Sequence, residues 1–114
     1  MQYMALIYSG NAPQEFARLT EDEQRAVLGE YFAIAQSPGV SGGNQLQPPE
    51  TTTTIHIENG RTLTTDGPFA ETKDVLGGYY LFEADDLDAA IELASRIPAA
   101  RMGGAIEVRP VVER

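Results

Sequence analysis

The sequence has no cysteine, which rules out disulfides, thiolate nucleophiles and cysteine-based metal sites. It has one histidine, His56. A lone imidazole beside Thr54 and Glu58 offers too few donors for a metal centre, so a solvent-facing or cross-strand packing role is expected. Basic residues are scarce: eight Lys and Arg stand against seventeen Asp and Glu, for a net charge of −9. Such a chain repels phosphate backbones and anionic lipid headgroups, so neither nucleic acid nor membrane is an expected partner. Long hydrophobic runs are missing too. The apolar stretch Met1–Tyr8 is only strand-length and lacks a basic flank, so it reads as a buried strand rather than a leader or a membrane span. A cytoplasmic protein is the expectation. Gly42-Gly43 and Gly103-Gly104 lack the Gly-Lys-Ser/Thr or strand-GxGxxG setting of a phosphate loop. With haem, flavin and metal motifs also missing, no cofactor is expected.

What the sequence does contain is enough for one core. Its 114 residues correspond to a single domain, 1–114, able to bury roughly two-thirds of its unfolded surface. The 42% hydrophobic content supplies the apolar material, and the ordinary 22% of charged residues argues against disorder.

Tyr3, Ala5 and Ile7 alternate with Met4, Leu6 and Tyr8, so the first strand is apolar on both faces and needs cover on both. Ser9-Gly10-Asn11-Ala12-Pro13 breaks it, with a short turn expected over 14–19. Thr20 and Glu23 have the spacing of a capping box. A helix over 21–36 follows, with Val27, Leu28, Tyr31, Ile34 and Ala35 as its apolar stripe, and Ser37-Pro38-Gly39 stops it. Residues 40–46 form an irregular, glycine-rich strand. Residues 51–58 and 61–65 make a hairpin around Asn59-Gly60, the favoured type I′ turn, which sets Glu58 opposite Arg61 and His56 opposite Leu63.

A loop over 66–77 is long for a domain this small, and long loops are often functional. Residues 78–84 repeat the two-faced pattern, with Tyr80 and Phe82 opposed to Tyr79 and Leu81. Asp85 or Asp86 caps a second helix whose stripe is Leu87, Ala90, Ile91, Ala94 and Ile97, ended by Pro98. Residues 105–112 close the chain as a strand with Ile106 and Val108 on one face and Glu107, Arg109 and Val111 on the other. Strand, capped helix and strand thus occur twice.

This order predicts an α+β fold, a ferredoxin-like split βαβ sheet with an extra hairpin. Two helices cover one face, leaving Met4, Leu6, Tyr8, Tyr79 and Leu81, or else their opposite-face neighbours, on the other. A second copy related by a two-fold axis is the expected cover, giving a homodimer; the alternative is that the hairpin folds over that face within one chain.

Thr64-Thr65-Asp66-Gly67-Pro68-Phe69-Ala70-Glu71-Thr72-Lys73 resembles the signature of the DGPF-type YCII-related proteins. The likeness continues through Gly77-Gly78-Tyr79-Tyr80, Asp86-Leu87-Asp88, Ile97-Pro98 and Glu107-Val108-Arg109-Pro110, and spans nearly the whole chain. It implies a dimeric α/β barrel. For activity it implies less: relatives are thought to use a His–Asp pair in a cleft, one is a dehydrochlorinase of a chlorinated hydroxyquinol, and DGPF-type genes often sit beside alternative sigma-factor genes. The helix over 21–36 has no His; Glu30 and Tyr31 lie roughly where it would be, and Asp66 matches the Asp.

The candidate residues follow. Asp66 is the candidate general base, or else the start of an Asx-type turn in which Gly67 takes a positive φ and Pro68 stiffens the chain. Glu71 and Lys73, two apart, form with Asp66 a charged pocket with one cation, or else a weak surface pair. Tyr8, Tyr31, Tyr79 and Tyr80 are expected mostly as core or interface aromatics, and Tyr8 and Tyr31 are the candidates for one that lines a pocket between sheet and helix for a small polar or aromatic ligand. Arg101 and Arg109 suit an anion clamp, but pairing with the surplus of carboxylates is the expectation. Acid/base chemistry of a lyase or dehydrochlorinase kind is one reading; a non-catalytic ligand-binding or regulatory dimer linked to a sigma-factor pathway is the other.

Overall fold

The computed structural model describes residues 1–68 and 75–114. Its strands are β1 (Gln2–Tyr8), β2 (Val40–Gln45), β3 (Thr53–Glu58), β4 (Arg61–Asp66), β5 (Leu76–Glu83) and β6 (Ala105–Pro110). Its helices are α1 (Ala12–Ala17), α2 (Glu21–Ala35) and α3 (Leu87–Ser95), with 3₁₀ turns at Pro49–Thr51 and Pro98–Arg101. Strands β2, β5, β1 and β6 form one antiparallel sheet in that order, which is the ferredoxin-like arrangement; β3 and β4 form a separate two-stranded sheet.

The alternation in β1 holds. Tyr3, Ala5 and Ile7 are buried, while Met4, Leu6 and Tyr8 are half-exposed. In β5 the same split sets buried Tyr80 and Phe82 against half-exposed Tyr79 and Leu81. The buried rows meet Ile34 of α2 and Ala90, Leu93 and Ala94 of α3, with Ile97 and Ala99 completing the core. At its centre Tyr3 and Phe82, paired across β1 and β5, stack with ring centroids 6.0 Å apart. An offset aromatic pair of this kind adds about 0.5–1.5 kcal/mol beyond its burial.

Helix α2 starts at the expected capping box: Glu23 N–H donates to Thr20 Oγ1 at 3.2 Å, and Thr20 N–H donates to Glu23 Oε1 at 3.0 Å. Asp86 caps α3 by accepting from the Ala89 amide at 2.9 Å. The stripes need correction. Leu28 is 55% exposed on α2, Ala35 is exposed too, and Leu87 and Ile91 are about half exposed on α3; Leu93 takes their place in the core. Small Ala90 and Ala94 let α3 sit close to the sheet, which turns the larger residues outward. The turn expected over 14–19 is instead the short helix α1.

The hairpin has the expected register, with Glu58 opposite Arg61 and His56 opposite Leu63. Asn59 at φ 51 and Gly60 at φ 76 give the type I′ turn. It does not fold over the open face. It stands off as an arm, and the molecule measures 48 × 41 × 19 Å. The face of the main sheet away from the helices therefore carries Met4, Leu6, Tyr8, Tyr79 and Leu81, all partly exposed to solvent in the single chain. Among the described residues no helix is long and apolar enough to cross a membrane.

Candidate functional site

The expected loop over 66–77 starts later and ends earlier in the structure, because Asp66 belongs to β4 and Leu76 and Gly77 to β5. Both of its ends are pinned. At the first, Gly67 takes φ 101, its amide donates to Thr52 O at 2.7 Å, and Thr54 Oγ1 donates to Gly67 O at 2.7 Å. This is the positive-φ turn that Asp-Gly-Pro encodes. At the second, Ser9 N–H donates to Val75 O at 2.9 Å, and Tyr8 stands opposite Leu76. The chain that leaves Asp66 thus comes back beside Tyr8. The expectations for Glu71 and Lys73 concern residues outside those described.

Tyr8 ends β1 on the open face, between Leu76 and Ala105. Its backbone is held tightly. A Cβ on Gly104 would stand 2.5 Å from Tyr8 O and 3.0 Å from both Ala99 O and Ser9 O, so only glycine fits where β6 begins. The phenol bonds the carboxylate of Glu107, which together with desolvation holds its pKa above the ordinary 10.0, while Arg109 pulls the other way. Tyr8 therefore keeps its proton at neutral pH and serves as a hydrogen-bond donor. Glu107 shares the open face with Leu6 and Tyr79, and Arg109 shares it with Met4 and Leu81. Asn44 adds a further polar group, donating from Nδ2 to the Tyr79 hydroxyl at 3.3 Å. A polar patch of Tyr8, Glu107, Arg109, Asn44 and Tyr79 hydroxyl thus borders the apolar centre of that face.

Tyr31 lies elsewhere. It sits on α2, against the core on the opposite face of the sheet, where burial raises its pKa while the Ala99 backbone and Arg101 oppose the shift. The sheet separates it from Tyr8, so the two tyrosines do not line one pocket. Glu30, beside it, is ion-paired with Arg101, as the surplus of carboxylates suggested for that arginine. Asp66 is exposed at the base of the arm, opposite Thr53. His56 is exposed on the arm, across from Leu63. No cluster of three metal-ligating side chains occurs among the described residues.

Two grooves mark the helical side. One, of about 490 Å³, lies between α3, the end of β5 and the Pro38–Gly39 turn; the other, of about 220 Å³, runs between α3 and β6 over Ile91, Ile106 and Val108. Neither is lined by Tyr8 or Asp66. Asn44 lies in no motif, and Glu107 lies in the Glu107-Val108-Arg109-Pro110 stretch of the family likeness with no role attached to it there. The signal for Glu107 was its alternation with Ile106 and Val108, which places it beside Tyr8 only once the β1–β6 register is known.

The topology defines a ferredoxin-like α+β domain with a hairpin insertion. The YCII-related domain matches residues 1–114, and the chain belongs to this family. It is 33% identical over 117 residues to an uncharacterized protein of Rhizobium meliloti (strain 1021), covering 97% of this chain and 92% of that one. In fold it is similar to 5-chloro-2-hydroxyhydroquinone dehydrochlorinase from Burkholderia phenoliruptrix AC1100, solved in complex with 2,5-dihydroxybenzoquinone. The TM-score is 0.51 at 14% identity, covering 100% of this chain and 96% of that chain.

Proposed function

We propose that the protein works as a homodimer that binds a small polar or aromatic molecule at the Tyr8 end of the sheet. Tyr8 donates a hydrogen bond to the ligand, Arg109 favours an acidic or hydroxylated ring, and Asp66 is the acid/base group. In a dehydrochlorinase-like reaction the Asp66 carboxylate takes the proton of one ring hydroxyl while the carbon bearing chlorine gains a proton to give the keto tautomer; chloride then leaves as a second ring hydroxyl loses its proton and the quinone C=O forms, for a net loss of HCl. The observation that carries this reading is the Ser9–Val75 hydrogen bond, which brings the chain beside Tyr8 nine residues after Asp66. The quinone bound by the structurally similar dehydrochlorinase supports the ligand class.

A thermal-shift screen of hydroxylated quinones and benzoates tests it. A ligand at 100 times its Kd stabilises by about 2.7 kcal/mol, a shift of several degrees in a domain of this size. Tyr8→Phe should weaken that shift. Asp66→Asn should abolish turnover of a chlorinated hydroquinol while leaving the shift in place; equal turnover by this variant removes Asp66 as the base. The pairing of Glu30 with Arg101 favours a second reading, in which the position matching the family's His does no chemistry and the dimer binds without turnover. Ligand binding with no turnover by the unmodified protein would select that reading.

A further inference from the structure

The β3–β4 arm exposes apolar side chains that the single chain leaves uncovered. Ile55 and Ile57 are 61% and 71% exposed. They point to one side of the hairpin together with Thr62 and Thr64, their partners across the ladder. A two-stranded hairpin alone in water is marginal at best, so this one needs a surface to lie on. Its own body does not offer one. The elbow between β2 and β3 is stiff: Thr51 N–H and Thr52 N–H donate to Pro48 O and Pro49 O, both at 3.0 Å, and the Thr51 hydroxyl donates to Pro48 O at 2.7 Å. Gly67 is tied to Thr52 and Thr54 on the return strand. These bonds shape the turn that leads into the arm and tie its two roots to each other. The radius of gyration is 16.1 Å, against about 13 Å for a globular chain of this length.

We propose that the Ile55–Ile57 face of the arm is an interaction surface for a second copy of this chain. The inference rests on the homodimer reading above and goes beyond it by assigning the arm to the interface. Area favours this occupant. Four strands about 4.8 Å apart and about six residues long give the open sheet face a footprint of roughly 400 Å². A standard interface buries about 800 Å² per partner. The arm, which follows the edge strand β2, adds contact area to that of the sheet face and so brings the pair closer to a standard interface. Two-fold symmetry makes the clasp reciprocal. Asp66 ends β4, so the partner also fixes the base of the arm that carries the candidate acid/base group.

The test is sedimentation equilibrium on the full chain and on Ile55→Lys/Ile57→Lys, with hydrogen exchange of the arm amides at high and low protein concentration. Two exposed positions are altered, so far-UV circular dichroism should be unchanged. The expected result is a dimer whose Kd rises by about 100-fold or more in the double variant, and arm amides over residues 55–64 protected only at concentrations where the dimer forms. A dimer of unchanged Kd in the variant overturns the arm contact and leaves the homodimer standing. Arm protection independent of concentration places the arm on its own chain and also overturns it. A monomer at every concentration overturns both readings.

Discussion

The Tyr80 hydroxyl donates to the backbone carbonyl of Tyr31 at 3.0 Å, tying the central strand β5 to the middle of α2. Tyr80 is a core residue, so the bond forms where water competes weakly. Tyr80→Phe keeps the ring and removes the donor. The expected cost is about 0.5–1.5 kcal/mol, the usual net worth of one such bond. Urea denaturation checks it: the midpoint falls and the slope stays constant, because the fold and its buried surface are retained.

The same pair sets behaviour in alkali. Burial raises the pKa of both Tyr80 and Tyr31 above the ordinary 10.0. In the unfolded chain each phenol ionises at its ordinary value. Their contribution is therefore complete below pH 10 and is lost as pH rises through the higher folded values. The N-terminal amine works in a lower window. Its hydrogen bond to Glu83 raises it above 8.0, so its contribution is lost as pH climbs past that point. A stability profile from pH 7 to 12 should fall in two stages. N-terminal acetylation should remove the first, and Tyr31→Phe should flatten the second.

Acid acts through the cap of α2. The backbone amide of Thr20, bonded to the Glu23 carboxylate, holds the pKa of Glu23 below the ordinary 4.5. A depressed carboxylate contributes above its unfolded pKa, and the contribution disappears as pH falls through the folded one. Glu23→Gln keeps an acceptor but removes the charge, so its stability should lose that part of the pH dependence below pH 4.5. Thr20→Ala, which breaks the other half of the box, should cost about 1 kcal/mol at neutral pH. Thermal melts of the three proteins between pH 3 and 7 decide both points.

Local rules made much of the fold legible. Alternation over Gln2–Tyr8, the Thr20–Glu23 box and Asn59-Gly60 each fix structure within a few residues, and all three appear where the sequence put them. The helix stripes were less legible. Leu28 and Ile91 satisfy helical spacing, but which side of a helix meets the sheet depends on how close the backbones come. Alanines at 90 and 94 decided that for α3. The site was harder still. Tyr8 and Tyr31 each looked like a pocket residue, and neither sequence position says that a sheet lies between them. Glu107 meets Tyr8, and Glu30 meets Arg101, only through partners about seventy or more residues away. Such pairings belong to the register of β1 against β6 and to the docking of α2, not to any motif.

The Tyr8–Glu107 contact supplies a check that needs no substrate. Hydrogen bonding to the carboxylate stabilises the neutral phenol, because an ionised Tyr8 would face a second negative charge. Glu107→Gln removes that charge while retaining a group that can accept the bond. The pKa of Tyr8 should then move down toward the ordinary 10.0. Arg109→Gln should have the opposite effect, since Arg109 is the group that opposes the upward shift. Phenolate absorbance in the near ultraviolet reads these changes, with Tyr8→Phe subtracting the other tyrosines. A Tyr8 transition that ignores both substitutions would mean that the phenol faces away from β6, and the open-face polar patch would lose its central member. If the shifts appear, ligand affinity should follow them. A ligand that accepts a hydrogen bond from Tyr8 competes with Glu107 for one proton, so Glu107→Gln should bind it more tightly, by a few-fold, at neutral pH.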